Sequence, residues 1–99
     1  MRNTFKIVWS DESLSNLANI VEYLEKNWTD KEIFAFFYSV NRLIKIIKTK
    51  PLTFPHSNNL KIRRAVLSKK ITLYYSVFED SIVIVSLFDT RQNPKKKNY

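Results

Sequence analysis

Two helical stripes meet at Trp28-Thr29 with no linker between them, and this junction restricts the fold more than any other feature of the 99-residue chain. Leu14, Leu17, Ala18, Val21, Leu24 and Trp28 recur at spacings of three and four, which puts them on one face of a first helix. Thr29-Asp30-Lys31-Glu32 then fits the S/T-x-x-E capping box, in which the glutamate turns back to the N-cap N–H, so a second helix starts at once. Its stripe is Ile33, Phe36, Phe37, Val40, Leu43, Ile44 and Ile47, and it ends near Thr49 ahead of Pro51. Two amphipathic helices joined so tightly have to fold back as an antiparallel hairpin.

Such a hairpin needs a surface to cover, and the flanking segments supply one. Phe5, Ile7 and Trp9 alternate with Lys6 and Val8 as in a short strand, after which Ser10 or Asp11 can accept hydrogen bonds from the first helical turn. Residues 50–60, KPLTFPHSNNL, read as an irregular connection because of two prolines and an Asn-Asn pair. Three strands are predicted beyond it, Lys61–Leu67, Lys70–Phe78 and Ser81–Phe88, with tight turns at Ser68-Lys69 and Glu79-Asp80. The last of them contains IVIVSLF, apolar on both faces, and is therefore expected in the middle of the sheet with the N-terminal strand beside it. The fold class is α+β: a small β-α-α-β-β-β domain whose helical hairpin packs on a mainly antiparallel four-stranded sheet. Residues 1–94 form this single domain, and residues 95–99 a basic tail expected to be mobile.

Composition removes several classes of function. There is no cysteine and one histidine, which excludes disulfides, thiolate metal sites and multi-histidine sites, so neither a metal nor another cofactor is expected. Glycine is absent, so a glycine-rich phosphate loop is excluded, and any turn requiring positive φ has to use Asn, Asp or Ser. No apolar run reaches the roughly 20 residues of a membrane span, and the first ten residues lack the apolar core of a secretory leader. The expectation is a cytoplasmic protein with no membrane partner.

Charge is placed unevenly. Residues 1–32 carry four basic and six acidic side chains; residues 33–99 carry thirteen basic and three acidic, within a formal net charge of +8. This asymmetry suits a surface that meets an anionic partner, although a solvated basic surface has the same composition.

Taken together, the element order, the IRRAV strand, the ITLYYSV strand and the closing IVIVSLFDTRQNP resemble the RelE/ParE superfamily of bacterial type II toxins, on its ParE-like, plasmid-stabilisation side. The similarity runs from FKIVWS to RQNPKK, and its weight lies in the ordered set of pieces, since RQNP alone is too short to be specific. The resemblance implies a growth-inhibiting toxin held inactive in a hetero-oligomer with a cognate antitoxin. It also implies one of two targets: DNA gyrase, inhibited by binding, or the ribosome and its mRNA, cut without a metal. A basic nucleic-acid-binding module without toxicity is the reading outside this class.

Specific residues bear on the choice. Metal-independent RNA cleavage needs a base for the ribose 2′-hydroxyl, an acid for the leaving oxygen and cations for the phosphate. The resemblance implies an arginine three residues before the middle-strand tyrosine in a nuclease; Tyr75 matches the tyrosine, but Thr72 holds the arginine's place. If the chain is nevertheless a nuclease, Arg64, Tyr75 and Arg91 are its candidate catalytic residues. His56, in the proline-rich connection, reads as a solvated imidazole rather than a base. As contacts for target or antitoxin the candidates are Arg63, Arg64, Tyr75, Arg91, Lys95, Lys96, Phe34, Phe37 and Tyr38. Arg63 and Arg64, being adjacent on a strand, point to opposite faces, as do Tyr74 and Tyr75. One arginine of the pair therefore lies over the hairpin and the other on the open side, with an ion pair to Glu79, Asp80 or Asp89 as the structural alternative. Asp89 and Arg91 share a parity that would let them pair. Asn93-Pro94 ends the last strand, because proline cannot donate to a ladder.

Overall fold

The computed structural model describes residues 5–89. In chain order it contains β1 (Lys6–Trp9), α1 (Asp11–Asn27), α2 (Asp30–Thr49), β2 (Arg63–Val66), β3 (Ile71–Val77) and β4 (Ser81–Asp89). The sheet order is β1-β4-β3-β2. β1 runs parallel to β4, and the other two pairings are antiparallel. The expected α+β architecture is present, with β4 inside the sheet and β1 beside it. Arg91, Lys95 and Lys96 lie outside the described residues, as does the pairing expected between Arg91 and Asp89.

The two helices start as their sequences dictate. Ser13 N–H donates to Ser10 Oγ at 3.0 Å, which makes Ser10 the N-cap of α1, with Asp11 and Glu12 favourably placed in the first turn. At the junction, Trp28 N–H donates to Leu24 O (2.7 Å) and closes α1. Thr29 N–H then donates to Glu32 Oε1 (2.9 Å), the glutamate half of the capping box, and opens α2.

The central strand sets how α1 lies. β1 pairs with β4 only as far as Trp9 opposite Ile84. Past that point the same edge of β4 would be left without partners, and two side chains of the α1 segment fill the gap. Ser10 Oγ donates to Val85 O at 2.8 Å, and Leu87 N–H donates to Asn16 Oδ1 at 3.0 Å. Both bonds replace strand pairing where an unmet backbone group would be costly. They also fix the rotation of the helix. The buried positions of α1 are Ser13, Ile20 and Leu24, not the full stripe expected from spacing; Leu14 is half exposed, and Ala18 is exposed. With about 100° between successive residues, a helix that turns Asn16 toward the sheet edge carries Leu14 and Ala18 outward.

β4 contains a bulge. Tyr74 pairs with Ser86 but Tyr75 with Ile84, so Val85 is the extra residue. The bulge keeps Ile82, Ile84 and Leu87 on the helix-covered face, although 84 and 87 differ in parity. That is why IVIVSLF reads as apolar on both faces. These three join Ile20, Leu24, Phe36, Val40, Leu43, Ile47, Ala65, Ile71, Leu73 and Tyr75 in one core.

The connection between α2 and β2 is more ordered than its composition suggests. Tyr75 Oη donates to Pro51 O (2.7 Å), and Arg63 Nη1 donates to Phe54 O (2.7 Å) and Leu52 O (3.3 Å). Phe54 meets the Tyr75 ring edge-on, with centroids 6.2 Å apart. Pinned this way, the segment turns along the outer edge of β2. There Arg64 N–H donates to Pro55 O, Ser57 N–H donates to Ile62 O, and His56 bridges to Arg63. None of the described residues has positive φ, so the Asn, Asp and Ser expected to stand in for glycine keep ordinary backbone angles.

Two measurements check this account. Asn16→Leu keeps the size and removes the acceptor, and should lower the unfolding free energy in denaturant by about 1–3 kcal/mol, the usual cost of orphaning a buried N–H. Burial pushes the Tyr75 phenol up to about 12, with the Arg63 charge opposing it weakly. The folded state then holds this proton where the unfolded chain, with its ordinary value of 10.0, releases it. Stability is therefore expected to fall as pH rises from about 10 to about 12, and Tyr75→Phe should remove both this slope and the latest step in the tyrosinate absorbance titration.

Candidate functional site

The helices cover one face of the sheet; the other carries no described helix and is exposed at Lys6, Val8, Arg64 and Val66 but buried at Ser86 and Phe88. Strand alternation and pairing decide which side chains reach it. Arg64 lies opposite Tyr74, which lies opposite Ser86, and Val66 lies opposite Thr72, which lies opposite Phe88. Lys6, Val8, Val83 and Ser76 share the same face through the neighbouring pairs. Arg64 and Lys6 are exposed, whereas Thr72 and Tyr74 are half-buried. The hydroxyl of Ser86 is buried in this row and finds no hydrogen-bond partner among the described residues. The described part of this face carries no carboxylate and no imidazole; its ionisable groups are an arginine, a lysine and a phenol.

The structure separates the candidate residues into two groups. Arg64, Phe34, Phe37 and Tyr38 are exposed. Arg63 lies on the hairpin side, and its guanidinium is engaged by two main-chain carbonyls rather than by Glu79, Asp80 or Asp89. Tyr75 is fully buried, with its phenol committed to Pro51 O. Two corrections follow for Tyr75. Its side chain lies beyond a partner's reach, so the sheet-surface tyrosine is Tyr74. Thr72 and Tyr75 also lie on opposite faces, as residues three apart on a regular strand must, so they cannot belong to one site. His56 is exposed, on the outer edge of β2. It lines a cavity of about 590 Å³ together with Leu60, Lys61 and Phe78.

A second feature was not legible in the sequence. The hairpin junction and the β2–β3 turn approach each other and leave an apolar groove of about 430 Å³ floored by Leu24, Trp28, Phe36, Leu67 and Ile71. Lys69 and Lys70 stand at one side of it and Glu32 at the other. These residues are some forty positions apart in sequence, so no spacing pattern links them; the only trace was Trp28, a large aromatic at the last position of a stripe. No group of three or more metal-ligating side chains occurs among the described residues, and no described helix is long and apolar enough to cross a membrane.

No protein-family model and no curated protein matches the sequence. Solved structures do match in shape. The chromosomal ParDE toxin–antitoxin system from P. aeruginosa superposes with a TM-score of 0.76 at 11% identity, over 89% of this chain and 98% of that one. The YoeB dimer from Staphylococcus aureus gives 0.59 at 20% identity, over 85% and 94%. The E. coli DinJ–YafQ complex gives 0.59 at 13% identity, over 91% and 98%. Two helices packed on a four-stranded sheet, matched in shape over nearly the whole of each chain, give this protein the fold of these ParDE, YoeB and YafQ structures.

Proposed function

We propose that the chain is the toxin of a type II toxin–antitoxin pair, a ParE-like cytoplasmic protein that inhibits growth by binding DNA gyrase and is neutralised by a cognate antitoxin. The observation that carries this reading is the chemistry of the open sheet face. Acid–base cleavage of RNA needs two proton-transfer groups and a cation near the scissile phosphate. This face offers Arg64, Lys6 and Tyr74, with a threonine at 72 and no described carboxylate or imidazole. Such a surface suits the binding of an anionic or polar partner.

In this reading Arg64 is the fixed cation of the target contact, because it stands on a paired strand and a guanidinium makes directed, bidentate bonds. Arg91, two positions past the last residue of β4, is proposed as the second, with Lys95 and Lys96 adding attraction that salt screens. The antitoxin is proposed to place an acidic, apolar segment in the groove beside Trp28, where Lys69 and Lys70 provide the complementary charge. A ribosome-dependent mRNA endonuclease on the same fold would give the opposite result in the experiment below.

The purified protein is expected to inhibit gyrase supercoiling and to leave ribosome-bound mRNA intact; reproducible, codon-dependent cuts abolished by Arg91→Ala would establish the nuclease instead. Activity against neither target would leave the non-toxic module. Arg64→Ala should weaken gyrase inhibition at least tenfold with the melting temperature unchanged, whereas Arg63→Ala should cost about 1–3 kcal/mol of stability by releasing two carbonyls. Arg91→Ala is expected to abolish toxicity with the fold intact, and removal of residues 95–99 only to weaken it.

A further inference from the structure

The hairpin has an outer face, turned away from the sheet, on which the exposed candidates Phe34 and Tyr38 stand. α1 contributes half-exposed Leu14 and exposed Ala18. α2 contributes Phe34 and Tyr38, which are 73% and 70% exposed. At about 100° per residue, all four project away from the buried positions of their helices. Single exposed apolar residues are ordinary; four gathered on one face mark a contact surface.

Charge divides along the same seam. On α1 stand Asp11, Glu12, Glu22 and Glu25 with one lysine, Lys26. α2 has acidic residues only in its first turn, and beyond it carries Arg42, Lys45 and Lys48. One helix is acidic, its neighbour basic, and the apolar residues are interspersed among the charges on their outer sides.

We infer that this face binds a second copy of the same chain, related by a two-fold axis parallel to the helices. Such an axis lays the acidic α1 of each copy on the basic α2 of the other, and both contacts are made at once. Counted outward from the Trp28–Thr29 junction, it brings Glu25 to the level of Lys31, Ala18 to Tyr38 and Asp11 to Lys45, each within about one residue. The arrangement is thus complementary in charge at both ends, with Ala18 against Tyr38 in the middle. The face itself argues against other occupants. Nucleic acid or an anionic membrane would meet the carboxylates of α1, and an acidic helix would suit α2 but be repelled by its neighbour. Helices of roughly 25–30 Å spaced 8–10 Å apart offer about 500 Å² per copy, near the lower limit for a specific pair, so the dimer is weak and reversible. The sheet's open face lies on the far side of the molecule and stays accessible, so this inference stands independently of the proposed target.

Sedimentation equilibrium from about 1 to 500 μM, in low and in high salt, tests it. A monomer–dimer equilibrium is expected, weakened several-fold by salt. Phe34→Ser/Tyr38→Ser should be monomeric throughout while melting at an unchanged temperature. Glu22→Lys/Glu25→Lys makes both helices basic, and Lys31→Glu/Lys45→Glu makes both acidic; each variant should stay monomeric alone, and the two should pair when mixed. A chain that is monomeric at every concentration, a dimer that survives the loss of Phe34 and Tyr38, or charge variants that fail to pair would each overturn the inference.

Discussion

The structure depends on how the upper edge of β4 is satisfied. The strand is nine residues long and lies inside the sheet, but its parallel neighbour β1 has only four. The shortfall is met by Ser10, which caps α1 through one lone pair and donates to Val85 O, and by Asn16, which accepts from Leu87 N–H. Ser13 Oγ donates to Ser10 O and completes the corner. These are local hydrogen bonds with a global effect, because they set the rotation of α1. That rotation turns Ile20 and Leu24 into the core and leaves Leu14 and Ala18 outside. The outer face of the hairpin is a consequence of how a strand edge was closed.

A second constraint acts at the opposite side of the sheet. Arg63 and Tyr75 face each other across β2 and β3 on the helix-covered side, and both reach the carbonyls of the connection that follows α2. The long connection of this glycine-free chain contains no left-handed residue. Here side-chain donors hold the backbone in ordinary conformations instead. The pinned segment in turn covers the first half of the β2 edge, where an open strand would invite unwanted pairing. Two residues that family resemblance offered as functional are thereby accounted for by the architecture, and the open face is left to Arg64 and Tyr74.

The result is a small domain with three distinct surfaces: a sheet face whose described ionisable groups are Arg64, Lys6 and Tyr74, an apolar groove flanked by lysines, and a hairpin with one acidic and one basic helix. They point in different directions, so under the proposed function and the inferred dimer the three contacts would not compete for the same residues. The basic side chains are concentrated after residue 32, so an approaching anionic partner is attracted to that part of the chain rather than to α1.

By itself the sequence determined the elements and their order. The capping box at Thr29, the stripes at helical spacing and the apolar run of β4 are local signals, and local signals survive in one dimension. It also determined that Arg63 and Arg64, like Tyr74 and Tyr75, must part to opposite faces, because strand alternation is a property of the backbone. Only the tertiary structure decided which member of each pair faces out, since that depends on which side the hairpin covers. It alone decided the rotation of α1, through an acceptor on residue 16 and a donor on residue 87, and it alone brought Trp28 to the β2–β3 turn. Contacts between residues distant in the chain leave no period in the sequence; they exist only once the sheet and the helices share a core.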